Sequence, residues 1–327
     1  MSDPRDAPDW EKVVAALAAA GTVTVATHIN PDGDAIGSLL GASLGLRAVG
    51  KATLASWGDR PAKVPEAYAF LPASNSVVQP EEVPATDVFL ALDCGGADRL
   101  GDLEPTAAAA GCSINIDHHP GNDLFGTLNV VVEDASSTAE IVVRLLEDLG
   151  APIDRDIATC LYTGIVTDTG RFQYANATPE VLVLAAGLLR KGVDAPRIAQ
   201  EVFESAPFNS LKLTGIVLER ARLDEDMGFV YSWLTLDDLN ATGVEAEETD
   251  KLIDSVRATR AADVAAMFKE RPDGTYRVSL RSKGPRSVGV IARANGGGGH
   301  ELAAGFTVSD VATGVKLILD GLARREA

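Results

Sequence analysis

The chain has 327 residues, 46% of them hydrophobic and 23% charged, with a formal net charge of −18. That length is too great for one ordinary core and predicts two domains. The acidic balance argues against long nucleic acid, which needs an extended basic track, and no run approaches the roughly 18 apolar residues of a membrane span.

The N-terminus (Asp3, Asp6, Asp9, Glu11) is acidic and lacks the basic-then-apolar order of a signal peptide. Cys94, Cys112 and Cys160 are odd in number and widely spaced, so neither a disulfide framework nor a thiolate zinc site is expected. These features predict a soluble protein of the reducing cytoplasm.

Along the chain, Val23-Thr24-Val25-Ala26-Thr27 reads as a buried strand, followed by a helix from about Ala35 to Val49. Val88 to Leu92 is a second strand ending at Asp93, and Ser113 to Ile116 a third ending at Asp117. Ser137-Thr138-Ala139-Glu140 has the spacing of a capping box and should open a helix running to about Leu149. Further helices are expected near Asp154 to Val166, delivering Asp168 at the end, and from Pro179 to Arg190.

Short strands alternating with helices predict a parallel α/β sheet in an N-terminal domain of residues 1–190. A partly helical linker (191–210) and a smaller C-terminal α/β domain (211–327) should follow. In that second domain Phe229 to Trp233 reads as a strand. Ala262–Phe268 and Tyr276–Leu280 read as a hairpin turned at Pro272-Asp273-Gly274, and a short helix is expected near Val288 to Ala294.

All four histidines fall in short Asp- or Gly-rich motifs: His28-Ile29-Asn30-Pro31-Asp32-Gly33-Asp34, Asp117-His118-His119, and Gly296-Gly297-Gly298-Gly299-His300. His28, Asp93 and Asp117 follow the ends of apolar strands, where open α/β sheets bind ligands. A single Asp in such a place is ordinarily a turn or helix cap. Several at one sheet edge, with imidazoles and no thiolate, point instead to divalent metal. Mn²⁺ or Mg²⁺ is favoured and Fe²⁺ or Co²⁺ tolerable, with two ions roughly 3.5–4 Å apart more in keeping with so many donors than one.

The glycine run suits close approach of backbone N–H groups to a phosphate or base. A basic segment from Arg271 to Arg293 (Arg271, Arg277, Arg281, Lys283, Arg286, Arg293) suits a small anion or is a solvated strand face. Arg171 either contacts phosphate or pairs with a carboxylate. Ser136, Ser137 and Glu140 read as helix capping, and Cys94 as buried packing.

The first motif, Asp93-Cys94-Gly95, the Asp117-His118-His119 triplet and Gly164 to Phe172 resemble, in order and spacing, the four motifs of DHH-family phosphoesterases. Gly296 to His300, followed by Glu301 to Phe306, resembles the glycine-rich motif of the DHH-associated C-terminal domain. The subgroup most similar in length comprises two-domain bacterial proteins that act on nanoRNA, 3′-phosphoadenosine 5′-phosphate (pAp) and cyclic dinucleotides.

This resemblance implies one ion on His28, Asp32 and Asp93, and a second on Asp34, Asp93, His118 and Asp168, with Asp93 bridging. It implies that Asp117 orients a histidine and that His119 faces the substrate phosphate. Arg281, Gly297, Gly298, Gly299 and His300 would hold the far phosphate or base. The implied protein is an Mn²⁺-dependent homodimer with its active site in the cleft between the domains. It would hydrolyse short oligoribonucleotides, cyclic di-AMP and pApA to mononucleotides, and pAp in addition. The alternatives are an inorganic pyrophosphatase and a non-catalytic cyclic-dinucleotide sensor.

Overall fold

A computed structural model describes residues 3–323; the first two and last four residues of the expected domains lie outside them. The chain divides into two compact units between Ser205 and Ala206. In the first unit, β1 (Thr22–Thr27), β2 (Ala52–Trp57), β3 (Val88–Leu92), β4 (Ser113–Asp117) and β5 (Leu128–Val131) form one sheet in the order β2-β1-β3-β4-β5. Every pairing in it is parallel. Two of its strands, β2 and β5, have mixed sequences that the apolar-run criterion does not pick out.

The strand order reverses between β1 and β3, and in doubly wound sheets a crevice opens there at the carboxyl ends. His28 follows β1 and Asp93 follows β3, so the topology alone brings these two together. Thr27 Oγ1 donates to the Leu92 carbonyl (3.0 Å) and fastens the two strand ends.

The unit's helices are α1 (Trp10–Ala19), α2 (Gly33–Ala48), α3 (Glu104–Ala109), α4 (Thr138–Asp148), α5 (Arg155–Asp168), α6 (Pro179–Leu189) and α7 (Ala195–Phe203). Side-chain alternation along the strands feeds two cores. Val23, Val25, Leu90, Leu92, Ile114 and Ile116 join the large one, while Ala26, Phe89 and Ala91 face a smaller one with Leu100 and Leu103.

Helix α2 is buried almost all round because α4 and α5 pack against it as well as the sheet. Its glycines set the distance. A Cβ at Gly37 would stand 2.6 Å from the Cys160 carbonyl oxygen, and one at Gly41 would meet Leu161 Cδ2 at 2.6 Å. Nor does Gly33 leave room, since its Cβ would fall 2.4 Å from Thr167 Oγ1. The seam between α2 and α5 therefore leaves no room for a side chain at these three positions of α2.

The second unit contains α8 (Phe208–Arg220), β6 (Arg222–Asp224), β7 (Phe229–Leu234), α9 (Leu236–Thr242), α10 (Leu252–Arg257), β8 (Val264–Glu270), β9 (Tyr276–Ser282), α11 (Val288–Ala294), β10 (Gly298–Gly299), β11 (Ala303–Val308) and α12 (Val311–Ala323). The strands run in the order β10-β11-β9-β8-β7-β6, antiparallel except for β7 with β8. The expected hairpin is β8–β9. Buried apolar clusters line both faces of this mixed sheet. Among the described residues no helix is long and apolar enough to cross a membrane.

The seam makes a prediction. Gly37→Ala should destabilise the first unit by about 1–3 kcal/mol, because its neighbour is backbone and cannot turn aside. Gly187→Ala in α6, where an added Cβ meets nothing within 4 Å, should be neutral or stabilising by up to ~1 kcal/mol. Urea denaturation of both variants checks the contrast.

Candidate metal centre

Every candidate ligand of the first unit sits where a strand ends or a helix begins or ends. Asp32 caps α2, its Oδ1 accepting from the N–H groups of Asp34 (3.0 Å) and Ala35 (3.1 Å). The bland role and the functional one thus share a residue, since the second carboxylate oxygen is not needed for the cap. Asp34 is buried at the start of α2 and also closes the N-terminus of α4. It accepts from Thr138 N–H at 2.6 Å, Ala139 N–H at 2.9 Å and Ser38 Oγ at 3.1 Å. Asp93 has a left-handed backbone (φ 61°) just beyond β3 and accepts from Thr138 Oγ1 at 3.0 Å. Asp168 closes α5, where the helix dipole disfavours a carboxylate.

The distances group these side chains around Asp93. Its Oδ2 lies 3.6 Å from His28 Nε2, and its Oδ1 lies 3.6 Å from His118 Nε2. His118 Nε2 is also 3.9 Å from Asp34 Oδ2 and 3.6 Å from Asp168 Oδ2. The donor atoms of His28, Asp32 and Asp93 lie within 4.8 Å of one another, as do those of Asp34, Asp93 and His118.

The tautomers test whether a cation fits. His118 Nδ1 lies 3.2 Å from the Ala135 carbonyl and His28 Nδ1 lies 2.8 Å from the Ile29 carbonyl. A carbonyl only accepts, so His118 Nδ1 carries the proton. His28 Nδ1 also lies 3.1 Å from the Arg99 guanidinium, which only donates, so its two contacts call for opposite roles. In the neutral ring His118 Nε2 then aims a lone pair at carboxylate oxygens of Asp34, Asp93 and Asp168, at separations too long for a hydrogen bond. Divalent cations held between them turn that repulsion into coordination, and a committed Nδ1 is what metal-bound histidine requires. The residues fit divalent metal.

The electrostatics of the metal-free chain show the same strain. Burial, followed by the charges of Asp93 and Asp168, pushes the Asp34 carboxyl well above its usual range. Burial also opposes ionisation of Asp93, yet His28 and the neighbouring imidazoles hold its pKa low. Burial would depress His119, but its bond to Asp117 and the Asp93 charge outweigh this and raise it to about 10. His119 Nδ1 is 2.8 Å from Asp117 Oδ1, and a third of the His119 side chain is exposed. Cys94 is fully buried and burial pushes its thiol up, so it offers no thiolate.

Several contributors are absent from the motif reading. Thr138 and Ser38 hold the carboxylates, Asn115 and Asn122 stand behind Asp117, and Arg99 Nη2 lies 3.1 Å from His28 Nδ1. Asn176 Nδ2 donates to the carbonyls of Ser136 (3.0 Å) and Asp168 (3.2 Å). Ser137 does cap α4, accepting from Glu140 N–H. The Glu140 carboxylate, however, bonds Ser136 N and Oγ (2.8 Å each) instead of returning to Ser137. Arg171 lies over the Phe203 ring (5.2 Å), in a turn where Gly170, Arg171 and Phe172 all have positive φ.

In the second unit the glycine run divides in two. A Cβ at Gly297 would stand 2.1 Å from the Gly305 carbonyl oxygen, and Gly299 has φ +121° with Ala303 O 2.6 Å from its Cβ position. Those two glycines are needed by the chain's own packing. Gly298 faces open space. Arg281 on β9 pairs with Ala303 of β11, whose neighbour Ala304 pairs with Gly299, so Arg281 and the loop share one end of the sheet. His300 follows directly. The basic segment is largely paired: Arg286 bonds Asp263, Arg293 bonds Glu301 at 3.0 Å, and Lys283 bonds the carbonyl of Ala262 at 3.1 Å.

Residues 22–165 match the family model described as the DHH family, N-terminal domain, and residues 226–324 match the DHHA1 domain. The chain is 38% identical over 304 residues to the bifunctional oligoribonuclease and PAP phosphatase NrnA of Thermus thermophilus, covering 91% of this chain and 89% of that one. It is 31% identical over 205 residues to the cyclic-di-AMP phosphodiesterase GdpP of Geobacillus thermodenitrificans, covering 61% of this chain and 30% of that one. A crystal structure of an exopolyphosphatase-related protein from Bacteroides fragilis superposes with a TM-score of 0.87 at 26% identity, covering 96% and 95% of the two chains.

Two outcomes follow from the site's charge. Adding Mn²⁺ to chelator-treated protein should raise the melting temperature by several degrees, since saturation at a hundredfold Kd contributes about 2.7 kcal/mol; an unchanged melting curve would contradict the ion-filled site. The His119 pKa is raised, so its stabilisation is complete below the unfolded value near 6.5 and is lost as pH rises through about 10. The melting-temperature advantage of metal-free wild type over His119→Gln should therefore shrink between those pH values.

Proposed function

The chain belongs to the DHH family, and on that premise we propose that it is a metal-dependent phosphodiesterase hydrolysing short oligoribonucleotides and linear or cyclic dinucleotides, such as pApA and cyclic di-AMP, to mononucleotides. Removal of the 3′-phosphate of pAp is its companion activity. The observation that carries this reading is Asp93, whose two carboxylate oxygens face His28 on one side and His118 on the other. The oligoribonuclease and PAP phosphatase that covers nine-tenths of the chain supports the substrate class.

We assign one ion to His28, Asp32 and Asp93 and a second to Asp34, Asp93, His118 and Asp168. Nitrogen and oxygen donors without thiolate favour Mn²⁺, with Mg²⁺, Co²⁺ or Fe²⁺ as substitutes. Divalent ions bound there supply Lewis acidity toward phosphoryl oxygens and lower the pKa of a water.

The chain's own groups do the rest. Asp117 accepts a hydrogen bond from the Nδ1–H of His119, which leaves Nε2–H of the charged ring to donate to a phosphate oxygen as negative charge builds. Thr138 and the α4 N-terminus hold Asp93 and Asp34 in place, so the donors need not reorganise during turnover. Cys94, beside the shared Asp93, is buried and protonated and is therefore no nucleophile toward phosphorus.

We assign residues 1–190 to catalysis, 191–210 to a linker and 211–327 to nucleotide binding. In the last, Arg281, Gly298 and His300 are the groups that hold phosphate or base, with Gly297 and Gly299 shaping the loop. The working form is a homodimer in the reducing cytoplasm, in keeping with the free cysteines.

Chromatographic product analysis with Mn²⁺ tests the reading on cyclic di-AMP, pApA, a five-nucleotide RNA, pAp and pyrophosphate. Mononucleotides should form from the first three and vanish with Asp93→Asn. His119→Ala should lower kcat by about 10²–10³-fold, the loss typical of removing one preorganised donor. Phosphate from pyrophosphate alone would make the protein a pyrophosphatase, and tight dinucleotide binding without turnover would make it a sensor.

A further inference from the structure

Strand β4 is the most polar of the buried strands. Its period places Ser113, Asn115 and Asp117 on one face and Ile114 and Ile116 on the other. Asn115 and Asp117 are both 0% exposed, so each must satisfy its polar atoms within the chain.

Asn122, half-buried on the loop after the Asp-His-His triplet, serves both. Its Nδ2 lies 2.7 Å from Asp117 Oδ2, 3.0 Å from Asn115 Oδ1 and 3.0 Å from the Cys94 carbonyl oxygen. Asn115 Nδ2 already reaches that carbonyl at 2.9 Å. An amide has two protons, and the shortest, charge-assisted contact, to Asp117, takes the first.

The orientation of the amide is settled by its other end. Asn122 Oδ1 accepts from Leu124 N–H at 2.8 Å, so the nitrogen must face the carboxylate. Asp117 is thereby gripped at both oxygens, by Asn122 on Oδ2 and by His119 Nδ1 on Oδ1 at 2.8 Å. A carboxylate held at only one oxygen can swing about its Cβ–Cγ bond and carry the imidazole with it.

The loop itself does not need this bond. Asp123 N–H donates to the Gly95 carbonyl (3.1 Å), and Ala97 N–H donates to Asp123 Oδ2 (3.2 Å), which together tie the loop to the segment after β3. What the Asn122 amide adds is the fixed direction of Asp117.

We propose that Asn122 is a positioning residue for the reaction: it locks the Asp117 carboxylate so that His119 Nε2 points at the scissile phosphate. The inference rests on the role given to His119 above. Asn122→Ala should lower kcat by about 10–100-fold, the range for partners that orient an active-site histidine, with KM little changed. Asn122→Ser is the companion variant. A hydroxyl can keep the turn at Leu124 N–H but falls short of Asp117, so it should show the same kcat loss, with a melting temperature lowered by several degrees for the freed carboxylate oxygen but still well above the assay temperature.

Two readouts separate positioning from mere structure. In a His119→Ala background, Asn122→Ser should have no further effect on turnover. In isotope-labelled, Mg²⁺-loaded protein, the downfield Nδ1 proton of His119, identified by its loss in His119→Ala, should move or broaden in both Asn122 variants. An additive kcat loss in the His119→Ala background, or a proton resonance unmoved by either variant, overturns the proposal. Full turnover by His119→Ala would instead overturn the role of His119, and the resonance would still decide whether Asn122 orients it.

Discussion

The site hangs on one carboxylate. Asp93 is buried just beyond β3, in a left-handed conformation that non-glycine residues hold at a cost of order 1–3 kcal/mol. Imidazoles of His28, His118 and His119 surround it, and the Thr138 hydroxyl donates to it. The rest of the first unit serves that placement. The reversal of strand order brings the ends of β1 and β3 together, and the Thr27–Leu92 bond joins them. Helix α4 begins where Asp34 and Asp93 need donors. Four acidic groups, Asp32, Asp34, Asp93 and Asp168, share a small volume, and only counter-charge makes that arrangement restful.

Much of this was legible in the chain. Of the strands that lead to the site, β3 is an unbroken apolar run, while β1 and β4 interleave apolar residues with Thr, Ser and Asn. All of these residues but Thr22 are buried because both sheet faces are covered. Each strand ends at the residue that matters: Thr27 before His28, Leu92 before Asp93, Asp117 before His118. Strands β2 and β5 were not, since mixed compositions such as Ala52–Trp57 have no clear period. The backbone and hydroxyl donors carry no motif. Thr138 looks like a helix start and is one, but nothing in its letter says that its hydroxyl reaches a carboxylate forty-five positions earlier.

The glycines show the same limit from the other side. Sequence registers that a residue has no side chain but not what occupies the room. At Gly297 and Gly299 it is the chain's own backbone, and at Gly298 it is open space. The basic segment behaves likewise, because Asp263 and Glu301, which pair with Arg286 and Arg293, lie outside the window in which charge was counted.

The α2–α5 seam carries a consequence for how such a site drifts over time. Gly33 presses on Thr167 and Gly37 on the Cys160–Gly164 backbone, so the loop bearing Asp32 and the helix end bearing Asp168 are halves of one rigid clamp. The spacing of Asp32 and Asp168 is then tied to apolar contacts such as Leu161 against Gly41, farther along the two helices. Mn²⁺ and Mg²⁺ need closer oxygen ligands than the 2.3–2.6 Å of Ca²⁺, and a jaw that cannot widen is a gauge of ionic size. If the proposed ions are held there, substitutions in the hydrocarbon interior would retune metal preference with every proposed ligand left as it is.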